Sequence, residues 1–252
     1  MGIGGGILML VLSLIFGPGI LSDNGVTTTE SSGSLVPADS AAEEPMVQFV
    51  SFVLDDVQQT WNSAFDGAGS GYRPANLVLF RDGTQSGCGV GQSAMGPFYC
   101  PLDEKVYLDL GFFSDLDRRF GAPGDFAQAY VIAHELGHHV QHLLGMDERV
   151  RAIQRQDPQV ANEMSVRLEL QADCYAGVWA HSAAQRGRLE TGDIDEGLGA
   201  ASAVGDDRIQ QRTTGTVNVD SFTHGSARQR SEWFRRGYES GDASACDTFA
   251  SS

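Results

Sequence analysis

The run His134-Glu135-Leu136-Gly137-His138 sets two imidazoles four residues apart, with a carboxylate beside the first. On a helix, residues i and i+4 project from one face, so His134 and His138 can each give a ring nitrogen to one tetrahedral Zn²⁺. Glu135 lies about 100° further round the helix. From there it can take a proton from a metal-activated water without being a ligand, which is the chemistry of a zinc hydrolase. The pattern is short enough to arise by chance, and histidine pairs at helical spacing are often plain surface or core residues. Its setting has to decide.

That setting is helical. Pro123-Gly124 punctuates the chain, and Asp125 with Gln128 forms a capping-box pattern for a helix beginning near Phe126. Phe126, Ala129, Tyr130, Ala133, Leu136, Val140, Leu143 and Leu144 recur at three- and four-residue intervals up to a stop at Gly145. Gly137 costs roughly 1 kcal/mol against Ala in mid-helix, which implies that something packs close against it, a wall of the metal site being one candidate. His138 and His142 are also four apart, but that frame lacks a Glu after its first His. His139 and His142 are therefore read as non-ligands, facing solvent or supporting the ligands from behind.

A hydrolytic zinc site needs a third protein ligand and an open fourth position. Residues 165–180 read as a second helix on which Glu169 and Asp173 again share a face. Glu169 is the candidate third ligand. Asp173, one turn on, can accept the free N–H of a ligand histidine and fix its tautomer. Two carboxylates so spaced repel by roughly a few tenths of a kcal/mol unless a cation lies beside them. Leu168, Ala172, Tyr175, Ala176 and Trp179 on the same stretch speak against a solvated face. His224 sits in a loop just ahead of a helix capped by Ser226 with Gln229. Brought near the metal, it can hydrogen-bond to the oxyanion of a tetrahedral intermediate; a structural loop histidine is the competing reading.

H-E-x-x-H followed by E-x-x-A-D resembles the glutamate-ligand zinc peptidases, the gluzincins. The stretches 91–101, 120–126 and 220–225 are in addition similar to those of the bacterial putative neutral zinc metallopeptidases, and the likeness runs from roughly residue 46 onward. The resemblance implies Zn²⁺ held by His134, His138 and Glu169, with Glu135 as base, in a zinc-dependent endopeptidase. It also implies a mainly helical, zincin-like α+β domain with a small sheet beside the active-site helix. Asn76–Phe80 and Lys105–Leu110 read as strands, and further helices lie near Val47–Phe65, Ile194–Val204 and Ser226–Ser240. In gluzincins a strand near the active-site helix offers its edge to an extended peptide, and Val106–Leu110 is the candidate for that role. Two other classes share every residue named so far: a non-catalytic zinc-binding envelope protein, and a zinc amidohydrolase acting on a non-peptide amide.

Of the 252 residues, 33 are Asp or Glu against 17 Lys or Arg, a formal charge of −16. Such an excess opposes binding to a phosphate backbone, so nucleic acid is set aside as a partner and a protein or peptide substrate is expected. Residues 1–21 form an apolar segment resembling a transmembrane anchor or signal. Residues 22–45, rich in Ser, Thr, Gly and Ala, read as a flexible linker, and 46–252 as one metallopeptidase domain. The expectation is a membrane-anchored protein with its catalytic domain outside the cytoplasm. Four cysteines, Cys88, Cys100, Cys174 and Cys246, suit an exported chain with two disulfides. Three pairings are possible; if Cys88 and Cys100 close a local loop, Cys174 pairs with Cys246. Cys174 as a metal ligand is the weaker alternative, since it points about 100° away from Asp173 on a helix.

Overall fold

The computed structural model describes residues 40–92 and 96–250, with the backbone alone for 40–42. Helix α1, Ser40–Gly67, buries Val50, Val53, Val57 and Trp61 along one stripe. It begins well before Val47: the stretch Ser40-Ala41-Ala42-Glu43-Glu44 holds good helix formers but no apolar repeat that would announce a helix. Five strands follow: β1 Asn76–Phe80, β2 Gly83–Ser86, β3 Gly89–Gln92, β4 Phe98–Cys100 and β5 Lys105–Asp109. The helices α2 Phe112–Arg118, α3 Asp125–Leu143, α4 Met146–Gln156, α5 Ala161–Gln185, α6 Asp193–Ala203, α7 Asp206–Thr213 and α8 Ala227–Ser240 complete an α+β architecture that is mainly helical.

The sheet order is β1-β5-β4, with β1 parallel and β4 antiparallel to β5, while β2 and β3 form a separate hairpin. This corrects the role expected of Val106–Leu110. Strand β5 lies in the middle of its sheet and both its edges are taken, so its alternating pattern reported a buried strand and not an edge. Among the described residues β1 and β4 are the edges, and β4 is the edge strand that packs next to helix α3.

Helix α3 is buried on nearly every face, from Phe126 and Tyr130 through Ala133 and Leu136 to Val140. The Asp125–Gln128 capping box does not form. Glu196 of α6 instead places a carboxylate oxygen 3.2 Å from the Phe126 amide, where the unpaired N–H groups and the positive end of the helix dipole favour an anion. Gly124, at φ 109°, leaves room for that carboxylate. The capping box expected at Ser226 and Gln229 does form at the start of α8.

Two close crossings place α5 and α8. At Gly137 a Cβ would stand 3.0 Å from the Ala172 carbonyl oxygen and 3.1 Å from the Ala172 Cα, so this glycine lets α5 lie backbone-to-backbone against α3. Between α5 and α8 the approach is tighter still. A Cβ on Gly237 would overlap the Cys174 carbonyl oxygen, and one on Gly177 the Phe234 carbonyl oxygen. Both disulfides form, Cys88–Cys100 tying the hairpin to β4 and Cys174–Cys246 tying α5 to the 3₁₀ turn Ala243–Cys246 after α8.

The membrane-anchored location is not upheld. Among the described residues no helix is long and apolar enough to cross a membrane. The longest, α1 and α5, carry Glu43, Glu44, Asp55 and Asp56, and Glu163, Arg167, Glu169 and Asp173. The segment 1–21 and the linker as far as residue 39 lie outside the described residues.

The α5–α8 crossing generates a stability prediction. Gly237→Ala forces the two helix backbones apart and is expected to destabilise by about 1–3 kcal/mol or more. Gly199→Ala, on an exposed turn of α6 where a Cβ meets nothing within 4 Å, is expected to stabilise by up to about 1 kcal/mol. Thermal unfolding of the two variants beside the parent checks the contrast.

Candidate metal centre

His134 and His138 leave α3 on the face turned toward α5, their ring centroids 4.8 Å apart and nearly perpendicular. Glu169 of α5 faces both. Its Oε2 is 3.2 Å from His134 Nε2 and its Oε1 is 3.5 Å from His138 Nε2. One donor atom from each of the three residues falls within 4.8 Å of the others. Glu135 is 8% exposed and lines the same cleft, a space of about 180 Å³ walled by Phe98, Phe112, Phe120, Val131 and Leu168.

The nitrogens on the far side of the two rings are committed. Asp173, fully buried, accepts from His134 Nδ1 at 2.9 Å. It also accepts from the Tyr130 hydroxyl at 2.5 Å, and from Arg230 through Nε at 2.8 Å and Nη2 at 2.9 Å. His138 Nδ1 lies 2.8 Å from Gln141 Oε1, and the Gln141 amide donates to the Leu168 carbonyl at 2.7 Å. With both Nδ1–H groups occupied, each ring turns an Nε2 lone pair onto the Glu169 carboxylate. Acceptor then faces acceptor, an arrangement that only a proton or a metal cation between them relieves. Two imidazole nitrogens and a carboxylate oxygen, with the imidazoles oriented from behind, are the donor set zinc takes when one coordination position stays open.

The electrostatics follow from this crowding. For His134, burial opposes protonation, but Asp173 and Glu169 outweigh it and push its pKa up to about 9 in the metal-free protein. Burial alone would raise the Glu169 carboxyl; the two imidazoles hold it well below the ordinary carboxylate range. Glu135 moves the other way, raised by burial, with the neighbouring imidazoles pulling only partly against it.

His224 lines the same cleft from the loop before α8. Asp206, the first residue of α7, holds that loop. Its Oδ2 accepts the backbone N–H groups of Thr223, His224 and Gly225 at 2.7, 2.7 and 3.0 Å, and its Oδ1 lies 2.9 Å from His224 Nδ1. The structure thus brings together His134, Glu135, His138, Glu169, Asp173 and His224. Cys174 is in its disulfide, away from the metal donors. His139 is not solvent-facing, as one reading had it. It is fully buried, donating through Nε2 to the Arg73 carbonyl at 2.6 Å and accepting at Nδ1 from the Tyr99 hydroxyl at 2.9 Å, which clamps β4 against α3. His142 pairs with Asp147 at 3.0 Å.

The profile of the family described as "Putative neutral zinc metallopeptidase" matches residues 1–249. The chain belongs to this family. It is 48% identical over 255 residues to the uncharacterized protein YpfJ of Escherichia coli (strain K12), an alignment covering 98% of this chain and 88% of that protein. It is 49% identical over 191 residues to the uncharacterized protein Rv2575 of Mycobacterium tuberculosis, covering 71% of this chain and 64% of that one. No solved structure matches it significantly. Membership in the zinc metallopeptidase family implies zinc, and His134, His138 and Glu169 form a group that can hold it.

Four residues around this family member's site escaped the sequence reading: Tyr130, Gln141, Asp206 and Arg230. Arg230 had a signal. The Glu169–Asp173 pair called for a cation, and Arg230 meets it with its guanidinium on Asp173 and 3.7 Å from Glu169. Tyr130 and Gln141 stand one turn from His134 and His138 on α3, a spacing that marks neighbours without marking a role.

These shifts give the metal-free protein two pH limits. Asp173 and Asp206, both held below their ordinary value of 3.8, contribute stability that is present above that value and lost as pH falls through their lower folded values. His134 contributes stability that is fully present below its ordinary value of 6.5 and lost as pH rises through about 9. Chelator-treated protein is therefore expected to lose Tm between pH 7 and 9. With zinc loaded in place of the proton between His134 and Glu169, that alkaline loss should vanish while the acid loss stays.

Proposed function

We propose that this protein is a zinc-dependent endopeptidase whose metal is held by His134, His138 and Glu169 and whose general base is Glu135. One observation carries the reading. Two imidazoles already tied by Nδ1 to Asp173 and Gln141 direct their free Nε2 atoms at a single carboxylate, inside a cleft that Glu135 also lines. A zinc ion bound there supplies a Lewis acid that polarises the scissile carbonyl and acidifies a water.

The chain's own residues do the rest. Glu135, with its carboxyl raised by burial, is a stronger base than an exposed glutamate; it takes the proton of the attacking water and passes it to the leaving amine. His224, in its protonated form, donates through Nε2 to the oxyanion, while Asp206 on Nδ1 keeps the ring in one orientation. Asp173, itself held by the Arg230 guanidinium, stays in place and accepts from His134 Nδ1. Strand β4 supports a peptide as the substrate. It lines the cleft through Phe98 and Tyr99 and, among the described residues, pairs with β5 alone, so an extended chain can add to its other edge through backbone hydrogen bonds.

Incubating zinc-loaded protein with an unbiased peptide pool tests the reading, with chelator-sensitive cleavage at defined bonds as the expected result. Glu135→Gln should keep stoichiometric zinc and lose about 10²- to 10⁴-fold in turnover. His224→Ala should keep zinc and lose about 10²-fold or more in kcat. Full turnover in Glu135→Gln would remove its assignment as base, and zinc binding with no peptide cleaved would favour the non-catalytic or amidohydrolase alternatives.

A further inference from the structure

Behind His138 a chain of buried amides leads from the metal centre to the segment after α8. Gln141 is 1% exposed and Gln171 4%. Core amides at such depth must satisfy every donor and acceptor from within the protein. Their orientations can be read from the backbone, because a carbonyl only accepts. The Cys246 carbonyl, 3.0 Å from the Gln171 amide, must face its Nε2, and the Leu168 carbonyl, 2.7 Å from the Gln141 amide, must face Nε2 there. Gln171 Oε1 then accepts from Gln141 Nε2 at 3.2 Å, and Gln141 Oε1 is left to accept from His138 Nδ1 at 2.8 Å. Flipping either amide would set donor against donor. The two histidines are thus oriented by different means, His134 by a carboxylate and His138 by a neutral relay that ends on a disulfide-bonded residue.

From this geometry we infer that Gln141 and Gln171 are positioning residues of the metal site, and that the segment anchored by Cys174–Cys246 sets through them the tautomer and ring orientation of His138. The inference rests on His138 being a metal ligand. It makes the region around Cys246 a working part of the site even though it lines no part of the cleft. A second tie holds the same segment without entering the relay: the Thr248 hydroxyl donates to the Arg167 carbonyl at 2.7 Å. Thr248 therefore separates relay from simple anchoring.

The test measures zinc dissociation constants of the full chain by chelator competition, and the exchange protection of the His138 ring N–H proton by NMR in the zinc-loaded protein. Gln141→Leu removes the acceptor and is expected to weaken zinc about 10- to 100-fold, with loss of the protected N–H signal. Gln171→Leu leaves the Gln141 amide nitrogen with Leu168 as its one acceptor, and a smaller loss of about threefold or more in zinc affinity is expected. Gln141→Glu returns an acceptor oxygen and should bind zinc more tightly than Gln141→Leu, recovering the signal. Thr248→Val should stay within about twofold of the parent.

The relay is overturned if Gln171→Leu, folded by circular dichroism, keeps parental affinity and N–H protection. It is equally overturned if Thr248→Val weakens zinc as much as Gln171→Leu does, or if Gln141→Glu shows neither tighter zinc nor a protected N–H. Should Gln141→Leu not fold, the glutamate variant and Gln171→Leu carry the test. A parent protein that binds no zinc would sink the metal-site reading itself, whereas failure of the relay leaves parental zinc binding intact.

Discussion

Asp173 sits at zero exposure with its carboxyl held in the ionised range, and a buried carboxylate without partners would cost several kcal/mol. Arg230 answers it with two hydrogen bonds, Tyr130 with one and His134 with one. Tyr130 and His134 belong to α3 and Arg230 to α8, so the charge on α5 is neutralised only when all three helices meet in one arrangement. The glycines make that meeting possible. Gly137 lets α5 down onto α3, and Gly177 with Gly237 bring α8 close enough for its guanidinium to reach. Removing one partner of such a pair generally costs about 3–5 kcal/mol, since the other charge is left buried and unpaired.

The same guanidinium sets the electrostatic tone of the metal centre. It lies 3.7 Å from Glu169 and within 3.5 Å of the His134 ring, so it tempers the negative charge that draws in a divalent cation. Glu135, raised by burial, and Glu169, lowered by its imidazole neighbours, are two glutamates in one cleft pushed in opposite directions. Divergence of this kind separates a group that exchanges protons from one that stays charged.

How much of this could be read from residues alone depended on range. His134, Glu135 and His138 were legible because helical periodicity is a property of adjacent turns, and Glu169 with Asp173 for the same reason. Helices α1, α3, α5, α6 and α8 and the strands expected at Asn76–Phe80 and Lys105–Leu110 followed from short apolar patterns, whereas helices α2 and α7 and strands β2 to β4 were too brief to show one, and α4 was not anticipated. The order of strands did not follow, since alternation does not tell a central strand from an edge strand, and the edges fell to β1 and β4. Asp125 had the local pattern of a cap, yet a carboxylate arriving from α6 took the position. Arg230 and Asp206 reach across 57 and 18 residues to their partners, and nothing near them in sequence marks the appointment. His139 looked spare beside two better-placed histidines because the groups that engage it, the Tyr99 hydroxyl and the Arg73 carbonyl, come from 40 and 66 residues upstream.

Helix α8 follows the three candidate metal donors of α3 and α5 in chain order. During synthesis, then, a chain emerging through Glu169 already carries His134, His138 and Glu169, but neither the counter-charge for Asp173 nor the loop that presents His224. The donors precede the conditions under which they can be held in place. Until α8 packs, Asp173 lacks its guanidinium partner and His224 its place beside the cleft, so the candidate site is assembled only when this later segment folds onto α3 and α5.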